Sequence, residues 1–181
     1  MLRTIRPILI LIVVIWIVEG VNYVTGRALN HGLGLVPRDM GGLIGIVTMP
    51  VLHGGLAHAA ANTIPLIILG GVALAVAPDR FGLATVAIVG VTGFAVWLLA
   101  RPGTIHVGAS GLVFGWFGYV IALGLIERSA RALIGAAAVF LFYGSIIWGA
   151  LPQTGMAISW EAHLFGGLAG ALIAYILRKP G

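Results

Sequence analysis

Long apolar runs separated by short polar, glycine or proline punctuation dominate this chain, and six of them are close to the ~20 residues a membrane-crossing helix needs. They run over Ile8–Val24, Leu52–Ala77, Phe81–Ala100, Ser110–Ile126, Ala132–Ala150 and Trp160–Leu177. Membrane-spanning strands would instead alternate apolar and polar residues in blocks of about ten, and none of these runs does. The pattern therefore predicts an all-α membrane protein, a bundle of six transmembrane helices forming one domain over residues 1–181. The longest connection, Thr25–Val51, contains a shorter apolar stretch, Leu43–Val51, expected to lie in the interface or to re-enter the bilayer. Arg3 and Arg6 ahead of Ile8–Val18 also fit a cleavable leader. No small-residue cleavage site follows Glu19, so an uncleaved first helix is the expectation.

Composition narrows the class. Of 181 residues, 60% are hydrophobic and 8% charged, against about 25% charged in soluble domains. That rules out a water-soluble globule, and the abundance of apolar residues rules out a disordered chain. The absence of cysteine removes disulfides and thiol chemistry. A net charge of +5 would suit nucleic acid were it clustered. The charges instead sit at segment ends, so the expected partner is the lipid bilayer, with no nucleic acid. With the N-terminus cytoplasmic, the inner segments hold Arg3, Arg6, Arg80, Arg128, Arg131, Arg178 and Lys179, and the outer ones Arg27, Arg38 and Arg101. This bias obeys the positive-inside rule. Both termini are then cytoplasmic, and the second, fourth and sixth helices enter from outside.

Polar side chains within spans are costly and face a bundle interior or a cavity. Here they are Glu19, His53, His58, Asn62, Ser110, Ser145, His163 and a few threonines. Counting back from the cytoplasmic helix ends at 1.5 Å per residue, Asn62 and Ser110 each stand about 25 Å up and His163 about 22 Å. Three parallel helices thus bring polar groups to one level beneath the outer surface. His58 lies one turn above Asn62 on the same face.

Gly108-Ala-Ser110-Gly111 opens a short fourth span, which places Ser110 at a helix N-terminus with unpaired N–H groups and a positive dipole end. Such donors suit an acyl-transfer oxyanion; a simple helix cap is the alternative. Gly111, Gly115 and Gly118 on the fourth helix, and Gly166, Gly167 and Gly170 beyond His163, form small-residue faces that allow close helix approach. A direct Ser–His hydrogen bond needs that closeness; packing alone is the alternative. His58 and Asn62 both offer N–H donors, and Pro65 is expected to free a carbonyl and kink its helix. A zinc site at His53, His58 and His163 is a rival reading, weakened by the lack of a nearby carboxylate other than Glu19. Glu161 receives no catalytic role. His31 and His106 are expected to be interfacial or structural, with His106 near the entrance. Trp16, Trp97, Trp148 and Trp160 are expected as interface anchors, and Trp116 as packing.

Taken together, His53-x4-His58-x3-Asn62, Gly108-Ala-Ser110-Gly111 and Ala162-His163-x2-Gly166 resemble the motif set of rhomboid intramembrane serine proteases, across nearly the whole chain. The resemblance implies a minimal six-helix form carrying a Ser–His dyad without a third acid. Ser110 would be the nucleophile and His163 the general base. His58, Asn62 and the Ser110 backbone N–H would form the oxyanion site. Gly108, Gly111, Phe114, Gly166 and Gly167 would support it, with Phe114 standing where the family frequently has tyrosine. The Trp-Arg pair in the first loop of some members is absent. Transmembrane protein substrates, a plasma-membrane location with the site open to the extracytoplasmic side, and no cofactor or metal are implied. No oligomeric state follows. A non-proteolytic relative that binds transmembrane segments, and a small metal-binding or transport protein, are the alternatives.

Overall fold

The computed structural model describes residues 2–152 and 159–178; Lys179, counted in the charge bias above, lies outside them. Of the described residues 79% are helical, and the only β-type pairing among them is an isolated antiparallel bridge between Leu35 and His106. In order come α1 (Leu2–Val24), α2 (Ala28–Leu33), α3 (Gly45–Thr48), α4 (Leu56–Val76), α5 (Phe81–Leu99), α6 (Ser110–Glu127), α7 (Ala130–Tyr143) and α8 (Trp160–Ile176). Short 3-10 turns flank α3, and another, Gly144–Ala150, continues α7. Among the described residues, five segments are long and apolar enough to cross a membrane: Ile5–Val24, Leu56–Val76, Phe81–Leu99, Ser110–Glu127 and Ala130–Ala150. At 17 residues, α8 is slightly shorter.

At the centre stands α6, in contact with α4, α5, α7 and α8. Its sequence is apolar on every side, as befits a helix enclosed by others. In consequence 61% of its span is buried, against 17% for Ala130–Ala150. Trp116 and Tyr119 fill the space towards α4 and α5, where Trp116 stacks on Phe81 and donates to Thr85 Oγ1 at 3.0 Å. Glycines set the α6–α8 contact. A Cβ at Gly166 would overlap the Gly111 carbonyl, one at Gly170 the Gly115 carbonyl, and one at Gly118 the Gly167 carbonyl. The two helices therefore touch backbone to backbone.

Two predicted starts and one predicted end move by several residues. The first helix begins at Leu2, not Ile8. The second span begins at Leu56, not Leu52, because the preceding residues are held in a non-helical path. The His53 carbonyl accepts from Asn30 Nδ2 (2.9 Å), Asn22 Nδ2 (3.3 Å) and Arg27 (3.3 Å), and Arg27 pairs with buried Glu19 at 2.7 Å. The fifth α-helix of the predicted set, Ala132–Ala150, stops at Tyr143 and tightens into the 3-10 turn. Gly144 and Gly149 are weak helix formers at that point. Helix α4 runs unbroken through Pro65. The Leu43–Val51 stretch forms α3 and part of its flanking turns, packed on α5. Arg38 caps α5, donating to the Leu98 and Ala100 carbonyls at 2.9 Å each. This satisfies carbonyls that a helix end leaves unpaired.

Candidate active site

The N-terminal ends of α4, α6 and α8 converge. Ser110 is the first residue of α6, so its N–H and that of Gly111 have no partner within the helix ladder. His163 lies in the first turns of α8, and Ser110 Oγ sits 2.8 Å from His163 Nε2. The other ring nitrogen, Nδ1, is 2.8 Å from the Gly149 carbonyl oxygen. A carbonyl only accepts, so Nδ1 carries the proton and Nε2 is left as an acceptor facing the serine hydroxyl. Phe114, one turn along α6, lies flat on the imidazole with ring centroids 4.3 Å apart and planes 4° from parallel. Tautomer, tilt and distance of His163 are thus each fixed by a separate neighbour. Among the described residues no three His, Cys, Asp or Glu side chains gather closely enough to hold a metal ion, so His53, His58 and His163 do not form the zinc site weighed above.

His58 and Asn62 occupy the α4 side. His58 Nδ1 accepts the Gly54 N–H at 3.3 Å, which places the ring proton on Nε2. That edge of the ring lies against Gly108, where an added Cβ would come within 2.9 Å of Nε2 and 3.8 Å of Ser110 Oγ. Gly108 also has φ +125°, a conformation that residues with a side chain avoid. Asn62 is buried and donates to the His58 carbonyl at 3.0 Å, as helix residues four apart can. His53, fully buried, meets the His58 ring edge-on at 5.0 Å and accepts the Ala109 N–H at 3.4 Å. It therefore underpins both His58 and the turn that presents Ser110.

Several residues here exceeded what the sequence suggested. The Glu19–Arg27–Asn22–Asn30 cluster around the His53 carbonyl was signalled only by an acid inside an apolar run with an arginine eight residues on. Gly149 as the partner of His163 carried no signal at all. Glu161 lies on the buried face of α8 and pairs with Arg101 on the α5–α6 loop. Trp16, expected at the interface, is 39% exposed and donates to Thr63 on α4 at 3.2 Å. Trp97 donates to the Asp39 carbonyl at 2.8 Å. His31 is exposed on α2 and meets none of these groups.

A helical bundle with five membrane-length segments among the described residues, and polar side chains gathered where three helix N-termini meet, defines a multi-pass membrane protein. The chain belongs to the rhomboid family: residues 40–180 match the Rhomboid domain. It is similar to the uncharacterized protein Rv1337 of Mycobacterium tuberculosis, with 36% identity over 96% of this chain and 75% of that protein. Uncharacterized protein ML1171 of Mycobacterium leprae is 35% identical over 96% of this chain and 71% of its own length.

Proposed function

We propose that this chain is an intramembrane serine endopeptidase, a single bundle over residues 1–181 that cuts transmembrane segments of other proteins near the outer surface of the plasma membrane. The family in general consists of serine proteases acting within membranes, with some inactive relatives. The reading is carried by one observation: a serine hydroxyl and an imidazole acceptor 2.8 Å apart. Helix α8 serves as the sixth span, and both termini are cytoplasmic.

In this mechanism the substrate enters laterally and its helix unwinds at the pocket. Ser110 Oγ attacks the scissile carbonyl carbon as its proton passes to His163 Nε2. The new oxyanion is met by the Ser110 backbone N–H, His58 Nε2–H and the Asn62 amide. One such donor typically lowers the barrier by about 2.7–4 kcal/mol. Collapse breaks the C–N bond, and His163 returns its proton to the leaving amine. Water then attacks the acyl-serine, gives a proton to His163, and releases the acid while Ser110 regains its hydrogen. Phe114 holds the tilt of the ring and the Gly149 carbonyl keeps a proton on Nδ1, so that Nε2 is the nitrogen that takes and returns the proton. A hydrogen-bonded serine–histidine pair has no use in a protein that only holds transmembrane segments, which disfavours the binding reading.

Purified protein should cleave a membrane-tethered reporter, and a fluorophosphonate should label Ser110. Ser110→Ala and His163→Ala should each abolish cleavage while the protein remains folded. Cleavage that survives either change would remove the assignment.

A further inference from the structure

The two segments that meet at Ser110 and His163 meet a second time, four residues upstream on each. His106 Nδ1 and Ser159 Oγ are hydrogen-bonded, with the same separation of 53 residues as Ser110 and His163. Alcohol and imidazole have exchanged places. His106 is 3% exposed, and its backbone is bridged to Leu35 in both directions, at 2.8 and 3.1 Å. Thr104 Oγ1 spends its single proton on the Arg101 carbonyl at 2.7 Å. It therefore accepts from His106 Nε2, 2.8 Å away, and His106 Nδ1 is left to accept from the Ser159 hydroxyl. Burial pushes the His106 pKa down and favours this neutral form; Glu161 acts upward and Arg101 downward. Ser159 is the N-cap residue of α8, and its carbonyl accepts the N–H of His163 at 3.3 Å.

Glycine faces fix how far apart two helices lie, but they lack the interlocking side chains that set rotation and height. The Arg101–Glu161 pair ties the α5–α6 loop to the first turn of α8 from the far end of the loop, and the His106–Ser159 bond, next to Ser110, supplies the register there. We infer that His106 is a positioning residue, which through Ser159 sets the height and rotation of α8 and so aims His163 at Ser110. The inference rests on the reading of Ser110 and His163 as the reacting pair, and adds two residues outside the rhomboid-like motifs.

The test compares the full-length wild type with Ser159→Ala, His106→Phe, His106→Gln and the Ser159→Ala/His106→Phe double variant. The readouts are kcat and KM for a membrane-tethered reporter, the rate of fluorophosphonate labelling at Ser110, and the thermal midpoint. Ser159→Ala removes one oxygen from a half-buried position and should remain folded. It and His106→Phe should lower kcat and the labelling rate roughly 10- to 100-fold, the cost of a misaligned pair, with KM within about twofold. The double variant should be no worse than the poorer single one, because both break one link. His106→Gln, whose amide offers one acceptor and one donor, should recover most of the rate. Wild-type labelling of a folded Ser159→Ala, additive losses in the double variant, or label on Ser159 itself would overturn the inference. A wild type that takes no label at Ser110 would overturn the reading of the site along with it.

Discussion

Gly166→Ala is the smallest change that tests whether glycine contact builds the site. The added Cβ would lie 3.0 Å from the Gly111 carbonyl carbon and 3.2 Å from its Cα, and closer still to the oxygen. All three are backbone atoms of α6, with no rotamer through which to yield. Restoring ordinary contact of about 3.5–4 Å requires the helices to part by roughly 1 Å at this level. Gly111 follows Ser110 directly, and Gly166 is one turn beyond His163. The 2.8 Å Ser110–His163 bond would then open to about 3.8 Å, past the limit of a hydrogen bond. A displacement of that size costs about 10²-fold in rate, equivalent to ~2.7 kcal/mol of barrier. Overpacking adds a stability cost of about 1–3 kcal/mol. Gly167 is the internal control, because a Cβ there meets only the Phe114 carbonyl oxygen, at 3.9 Å. Reporter cleavage and thermal midpoints should show Gly166→Ala crippled and Gly167→Ala near wild type. Equal behaviour of the two variants would refute the account of the α6–α8 contact.

Three further outcomes are expected. Phe114→Leu, which keeps bulk but loses the ring stacked on His163, should lower kcat roughly 3- to 10-fold, and Phe114→Tyr should stay near wild type; steady-state kinetics on the reporter separate them. Glu19→Gln leaves Arg27 without its anion. Arg27 is 28% exposed, so water recovers part of the loss, and a cost of about 2 kcal/mol is expected, below the ~3–5 of a fully buried pair. Denaturant unfolding in micelles would detect it, and an unchanged midpoint would contradict it. His106 has a folded pKa held below its ordinary 6.5 by burial, so its contribution to stability is complete above pH 6.5 and is lost as pH falls below that value. Between pH 8 and 5 the thermal midpoint of the wild type should drop more than that of His106→Gln; parallel curves would exclude this role.

The membrane class and the helix positions were legible because apolar run length and charge placement are set by the bilayer itself, whatever the tertiary contacts. The approach of α6 to α8 was legible for a similar reason: small residues recurring along a helix face have few uses other than closeness. Depth counting brought Ser110, His163 and Asn62 to one level, with His58 one turn above, because rise per residue is nearly constant. What stayed hidden depends on where carbonyls point. The start of α4 at Leu56 follows from donors gathered on the His53 carbonyl, and those donors come from α1 and α2. The acceptor for His163 Nδ1 exists only because the chain tightens after Tyr143. No residue pattern announces a single freed carbonyl at Gly149. The His106–Ser159 bond was out of reach too, since a loop histidine gives no sign of which helix end it will meet.

The Gly149 carbonyl that orients His163 belongs to a turn, Gly144–Ala150, in which no residue is buried. Ile147 on that turn is 46% exposed, and Ala130–Ala150 is long and apolar enough to cross a membrane. On the proposed reading, lipid packed on the turn bears on the carbonyl that orients the imidazole. Cleavage rates measured in micelles and in vesicles of different chain length are then expected to diverge even with the same water-soluble reagents.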